Sequence, residues 1–143
     1  MSSRSRNLGL LVKAVHTAEL NLSALINRSL APMGISRSQL SVLARFTIQP
    51  NRSQTITSLV TGVDMNQPAV TKIVSVLIDR GWLVAEADSI DARKKWLKIT
   101  PEGLGTVIKA YGLLTPAIDG ACEGLSDGEL DQLQTLLERF NRS

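Results

Sequence analysis

The sequence predicts a mainly α-helical (α+β) fold in which two short helices joined by a turn lead into a small β-hairpin, with longer helices at both ends of the chain. Three observations predict it. Apolar residues between Ile56 and Leu77 fall into two stripes at three-and-four spacing, with a turn between them. A pair of β-prone segments between Trp82 and Ile99 flanks a charged stretch, and amphipathic stripes lie near each terminus.

The first stripe is Ile56, Leu59, Val60 and Val63, and the second is Val70, Ile73, Val74 and Leu77. Between them lies Gly62-Val63-Asp64-Met65-Asn66. Gly62 is expected to take the left-handed conformation that ends a helix, Asn66 to cap the next helix by accepting from its free amides, and Pro68 to sit in that helix's first turn. The exposed residues at the start of the second helix are then Asn66, Gln67, Thr71 and Lys72, types that meet base edges and phosphates when a helix enters a DNA major groove end-on. Taken alone, the pair fits an ordinary αα-hairpin with a polar outer face equally well.

The segment after it separates the two readings. Gly81 is a helix stop, Trp82-Leu83-Val84 reads as a short strand, and Lys95-Trp96-Leu97-Lys98-Ile99 reads as its partner with period-two alternation. The connection from Ala85 to Lys94 is a wing, and the order helix, turn, helix, hairpin outlines a winged helix-turn-helix. Arg93, Lys94 and Lys95 put three adjacent cations at or near the hairpin tip. Arg suits a narrow minor groove with its enhanced negative potential, and Lys neutralises phosphate as a mobile charge. Asp91 is out of place against DNA unless it pairs with a cation, so it is expected to orient Arg93 or another nearby one. A charged tip in isolation is usually just solvated. Joined directly to a helix-turn-helix, it reads as a DNA contact.

Upstream, Ser36-Arg37-Ser38-Gln39 is a capping box opening a helix with Leu40, Val42, Leu43 and Phe46, which Pro50-Asn51-Arg52-Ser53 is expected to break. Arg37 and Arg52 are expected near helix ends on the DNA side as phosphate contacts, with solvated surface as the competing reading. Near the N-terminus, Leu8, Leu11, Val12, Val15, Leu22, Leu25 and Ile26 form a stripe of about six helical turns, more than one small domain easily covers. Near the C-terminus, Ser126 and Glu129 form a capping box before Leu130, Leu133, Leu136, Leu137 and Phe140. With the segment from Leu104 to Ile118, these helices are expected to make an intermolecular dimerisation bundle. The competing possibility is that they pack within one subunit. Residues 1–34 are thus assigned to an N-terminal dimerisation helix, 35–100 to a DNA-binding domain and 101–143 to helices completing the dimerisation region.

Composition narrows the class further. The 143 residues carry a net charge of +3, unevenly spread: 4 cations and 1 anion in residues 1–34, 9 and 5 in 35–100, 3 and 7 in 101–143. The basic middle coincides with the reading head and the acidic tail with the part facing away, as electrostatic steering requires. No apolar run is long enough for a bilayer and no basic-then-apolar leader is present, so the chain is expected to be soluble and, in a bacterium, cytoplasmic. One cysteine, Cys122, and one histidine, His16, exclude an intramolecular disulfide, a Cys-rich zinc site and a His-rich metal cluster, and no cofactor is expected. There is no phosphate-cradling glycine loop and no Gly-x-Ser-x-Gly elbow, and Asp88 with Asp91 on a hairpin makes a poor carboxylate pair, so no enzymatic activity is expected.

These residues resemble the MarR-type winged-helix transcriptional regulators over nearly the whole chain. The family pattern of Leu-x-x-x-Gly, a hydrophobic strand, a D-x-R wing and an L-T-x-x-G helix start is matched by Leu77-Ile78-Asp79-Arg80-Gly81, Trp82-Leu83-Val84, Asp91-Ala92-Arg93 and Ile99-Thr100-Pro101-Glu102-Gly103. The resemblance implies that Gln67, Pro68, Ala69, Thr71 and Lys72 read the major groove, that Arg93 inserts into the minor groove, and that the protein is a homodimer. Two positions depart from the pattern: the wing commonly carries Arg where Ala85 and Ala92 stand here. The wing should therefore hold DNA with fewer charges than is typical, and Asp91 should turn to Arg93 or Arg52.

The resemblance also implies an input, since in the family small aromatic or phenolic ligands bind where the dimerisation helices meet the winged domain. His16, Trp82 and Tyr111 are candidates to line such a pocket, although an aromatic on a helix face is more often core. Some relatives sense oxidants through a cysteine near the start of the chain. Cys122 lies near the other end beside Glu123, with no cation adjacent, and reads as a buried inert thiol. The function expected is a sequence-specific regulator of transcription, a repressor, bound as a homodimer to double-stranded DNA at a palindromic operator and released by a small-molecule effector. The alternative is a winged-helix module docking an acidic protein partner.

Overall fold

The computed structural model describes residues 2–142 and is mainly α-helical, with six α-helices and one β-hairpin. Helix α1 (Ser3–Leu30) starts at Ser2, whose hydroxyl accepts from Ser5 N–H at 3.1 Å, and its 28 residues form a rod about 42 Å long. A 3-10 turn (Ala31–Met33) then ends on Gly34, which takes the left-handed conformation at φ +65°. Helix α2 (Arg37–Ala44) opens with the expected capping box: Ser36 Oγ accepts from Gln39 N–H at 3.1 Å, and Gln39 Oε1 accepts from Ser36 N–H at 3.0 Å.

Helix α2 stops at Ala44, earlier than the proline at position 50 suggested. The N–H groups of Phe46 and Thr47 turn to the carbonyls three residues back, and Thr47 Oγ1 donates to Ala44 O at 2.7 Å, which tightens the chain out of the α-helix. Phe46 is fully buried all the same, because the turn carries it back under α2.

Helix α3 (Ile56–Val60) is capped by Thr55 and α4 (Gln67–Asp79) by Asn66, whose Oδ1 accepts from Ala69 N–H at 2.9 Å, with Pro68 in the first turn. The expectation for Gly62 fails: among the described residues only Gly34 and Gly81 have positive φ. Helix α3 runs out through right-handed Thr61 into an N–H bond from Gly62 to Leu59 O at 3.0 Å. The Arg45 guanidinium occupies the space beside Gly62, so a Cβ there would have to displace it.

Gly81, at φ +78°, stops α4 as expected and turns the chain into β1 (Leu83–Ala87), which pairs antiparallel with β2 (Lys95–Ile99) in the register Leu83↔Ile99 to Ala87↔Lys95. Strand β1 begins one residue after Trp82 and runs three past Val84, so Ala85 lies opposite Leu97 within the ladder and the wing loop is confined to Asp88–Lys94. Gln54 adds a bridge on the other side of β2, exchanging N–H···O bonds with Leu97 at 2.8 and 2.7 Å. Thr100 caps α5 (Pro101–Ala121), and Gly103 lets that helix settle onto the Trp82 carbonyl where a Cβ would collide. Helix α6 (Asp127–Asn141) carries the Ser126–Glu129 capping box.

One continuous core joins Leu40, Leu43, Phe46, Leu59, Val70, Leu77, Leu83 and Leu97 to Ile26 and Leu30 at the end of α1 and to Val107, Ala110 and Leu114 of α5. Each of the leucine, isoleucine, valine and phenylalanine side chains stabilises the fold by about 1.5–3 kcal/mol relative to exposure. Helix α1 anchors only through its last turns and α6 buries no residue at all. Leu8, Leu11, Val12 and Val15 of α1, and Leu133, Leu136, Leu137 and Phe140 of α6, remain exposed, so packing within one subunit does not satisfy these stripes. No helix among the described residues is long and apolar enough to cross a membrane.

Candidate nucleic-acid interface

Helix α4 separates its two faces sharply. Val70, Val74 and Leu77 are buried, while Gln67, Pro68, Thr71 and Lys72 border an open surface together with Ser75 and Val76. Asn66 is exposed beside them, and Ala69 is half-buried behind. Thr71 Oγ1 donates to Gln67 O at 2.9 Å, which holds the hydroxyl and leaves its oxygen free to accept. Exposed Ser75 and half-buried Val76 extend that surface by a turn, a placement that the four-residue spacing from Thr71 and Lys72 already implied.

The wing loop is built by two aspartates. Asp88 Oδ2 accepts from Ile90 N–H at 3.0 Å and Asp91 N–H at 2.9 Å, while its Oδ1 accepts from Trp96 Nε1 at 2.8 Å. The Trp96 bond first, then the two backbone donors, hold its carboxyl down from 3.8 to about 2. Asp91 Oδ1 accepts from Arg93 N–H at 3.0 Å and from Arg93 Nε at 3.1 Å, and this side-chain bond, followed by the backbone one, lowers its carboxyl as well. The partner of Asp91 is thus Arg93 and not Arg52. The Arg93 side chain stays 92% exposed, so the pair aims the guanidinium without covering it.

Lys94 lies 4.6 Å from the centre of the Trp96 ring, and Lys95 is exposed at the start of β2. Lys94 and Arg52 border one cleft with Arg45 and Trp96, between the α2–α3 loop and the wing, and no carboxylate lines it. Arg45 is the residue that sequence reasoning missed. Its Nε is buried without a hydrogen-bond partner, and the Gln54 side chain donates to its carbonyl at 3.1 Å. Nothing local marks it, because its guanidinium lies beside Gly62, seventeen residues away in sequence.

Arg37 does not border the cleft shared by Lys94 and Arg52. It pairs with Glu19 of α1 at 2.6 Å and borders a second cleft, between α1 and α2, with Tyr111, Arg45 and Asp64. The three candidate aromatic liners are not brought together: Tyr111 is in this cleft, His16 lies in an apolar groove with Leu8, Val12 and Phe140, and Trp82 stacks under Arg80 at 4.3 Å. Cys122 caps the end of α5 and is half-buried, where full burial was expected. Among the described residues no His, Cys, Asp and Glu side chains are grouped to hold a metal ion.

No protein-family model matches the sequence. Solved structures do share the fold. A cysteine-to-serine mutant of MarR from E. coli, complexed with operator DNA, is 21% identical, with 97% of this chain and 99% of that one covered at a TM-score of 0.83. BpsR of Bordetella bronchiseptica, whose DNA binding is regulated by 6-hydroxynicotinic acid, is 19% identical over 92% and 98% at 0.83. A MarR-family transcriptional regulator from Rhodococcus sp. is 21% identical over 98% and 96% at 0.79. Over almost its full length, the chain therefore has the winged helix-turn-helix fold of the MarR-type regulators.

Proposed function

We propose that the protein is a sequence-specific regulator of transcription, a repressor, that binds a palindromic operator as a homodimer in the cytoplasm and has no enzymatic activity. Each subunit places the start of α4 in a major groove, with Asn66, Gln67, Thr71 and Lys72 toward bases and phosphates and Pro68 and Ala69 giving the backbone close approach. Arg93 enters the adjacent minor groove, oriented by Asp91, while Lys94, Lys95 and Arg52, joined by Arg45, neutralise backbone phosphates. Arg37 serves the junction with α1 rather than the DNA. Half-sites lie about one helical turn apart.

The observation that carries this reading is the pre-ordered, uncovered pair of the α4 face and the Arg93 tip. One is locked by the Asn66 cap and the other by Asp88 and Asp91. The likeness to MarR on operator DNA supports it. Residues 1–34 and 101–143 supply the dimer: a 15-residue α6 with no buried side chain is marginal in water, and a second copy gives it a surface to pack on. A small-molecule effector, aromatic or phenolic, fits the cleft bordered by Glu19, Arg37 and Tyr111, and BpsR supplies the precedent for such an input.

Selection from a random duplex pool, followed by titration of the selected site against unrelated duplex, tests the reading. An inverted repeat preferred by about a thousandfold or more is expected. Equal affinity for all duplexes would instead favour a module that docks an acidic protein.

A further inference from the structure

We propose that Arg80 is a positioning residue that fixes the angle between α4 and α1 and thereby sets the half-site spacing a dimer accepts. The inference rests on the DNA-reading function proposed above. Arg80 ends α4 at the opposite end from Asn66, about 20 Å along the helix, so it lies away from the residues assigned to the groove.

Its side chain reaches across the fold instead. The guanidinium donates to the carbonyl of Gly34, the residue through which the chain leaves α1 and its 3-10 turn. Gly34 is suited to this on two counts: its φ of +65° is left-handed, and a Cβ would stand 3.1 Å from an Arg80 guanidinium nitrogen. The other side of the contact is Trp82, whose ring centre lies 4.3 Å from the guanidinium carbon. Trp82 is itself held at both backbone ends, its N–H to Leu77 O at 3.0 Å and its carbonyl accepting from Thr100 N–H at 3.0 Å. Thr100 Oγ1 donates to Gly81 O at 2.7 Å and its side chain caps α5. Around one guanidinium the exit of α1, the exit of α4, the entry of β1 and the entry of α5 are therefore tied together.

The rest of α4 is seated by Val70, Val74 and Leu77, and apolar contact is non-directional. A planar guanidinium with one hydrogen bond and one stacked ring is directional, which a lysine ammonium is not. Arg80 thus adds a directional contact between the end of α4 and the root of α1 to the apolar core that both helices share. In a dimer held through α1, the angle between these two helices becomes the separation of the two copies of α4.

The test is binding of wild type, Arg80→Ala and Arg80→Lys to duplexes carrying the selected half-sites at the native spacing and with base pairs removed or inserted between them, at several salt concentrations. Wild type should prefer the native spacing. Arg80→Ala and Arg80→Lys should each lose about tenfold of that preference with an unchanged salt slope and an intact dimer by sedimentation. Wild-type spacing preference in both variants, an equal loss on every duplex, or a reduced salt slope in Arg80→Ala marking a phosphate contact would each overturn this inference alone. A wild-type protein that binds every duplex alike would overturn the DNA-reading function and this inference with it.

Discussion

Trp96 Nε1 donates to Asp88 Oδ1 at 2.8 Å, so the first residue of the wing loop is tied to the second residue of β2 across the hairpin. The carboxyl of Asp88 is held down from 3.8 to about 2 by this bond and by the N–H groups of Asp91 and Ile90. A depressed carboxyl contributes order that is complete above its unfolded value and is lost as pH falls through the folded one. The wing should therefore stay ordered down to about pH 4 and loosen between there and about pH 2. In a Trp82→Phe protein, the Trp96 indole N–H resonance should shift over that window, and adding Asp88→Asn should remove the transition. A resonance that stays fixed from pH 5 to pH 2 would show that the Asp88 bond does not order the wing.

Arg93→Ala should weaken operator binding by about 1–3 kcal/mol. Asp91→Asn keeps the cation and removes its aim, so its loss should be smaller and should fall on the same minor-groove positions. Anisotropy titrations of operators altered only under the wing distinguish this from loss of a general phosphate contact, which would weaken all sequences alike.

Lys72→Ala and Arg52→Ala should each lower the slope of log affinity against log salt by about one, because each removes one phosphate neutralisation. Arg37→Ala should leave the slope at its wild-type value, since Arg37 is held by Glu19 on the far cleft. A reduced slope in Arg37→Ala would mean that the Glu19 pair opens on DNA.

Leu133→Asp together with Leu137→Asp should shift the protein from dimer to monomer in sedimentation, with the circular dichroism of the winged portion kept. Both side chains are exposed in the subunit and α6 contributes nothing to the core. A variant that remains dimeric would place the interface elsewhere, on the α1 stripe alone.

How much of this was legible in the sequence follows the range of each interaction. The caps at Ser36, Asn66 and Ser126 are made within three residues, and a short-range rule finds them. The hairpin is legible because alternation and register act between segments close in sequence. The right-handed turn at Gly62 was not legible because the side chain that fills the space beside it is Arg45, seventeen residues upstream, and the ion pair of Arg37 was not because Glu19 lies on another helix. The early end of α2 was hidden because Phe46 keeps the apolar spacing after the helix has ended. Gln54 was invisible as a sheet residue because a single-residue bridge has no periodicity.

That bridge has a mechanical consequence. Strand β2 is flanked on one side by β1 and on the other by Gln54, with two short bonds to Leu97. The segment bearing Arg52 is in this way stitched to the same strand that carries Lys95 and leads out of the Arg93 tip. Cations from opposite ends of the winged portion are thus joined through one strand, and whatever tilts the hairpin tilts both of its edges together.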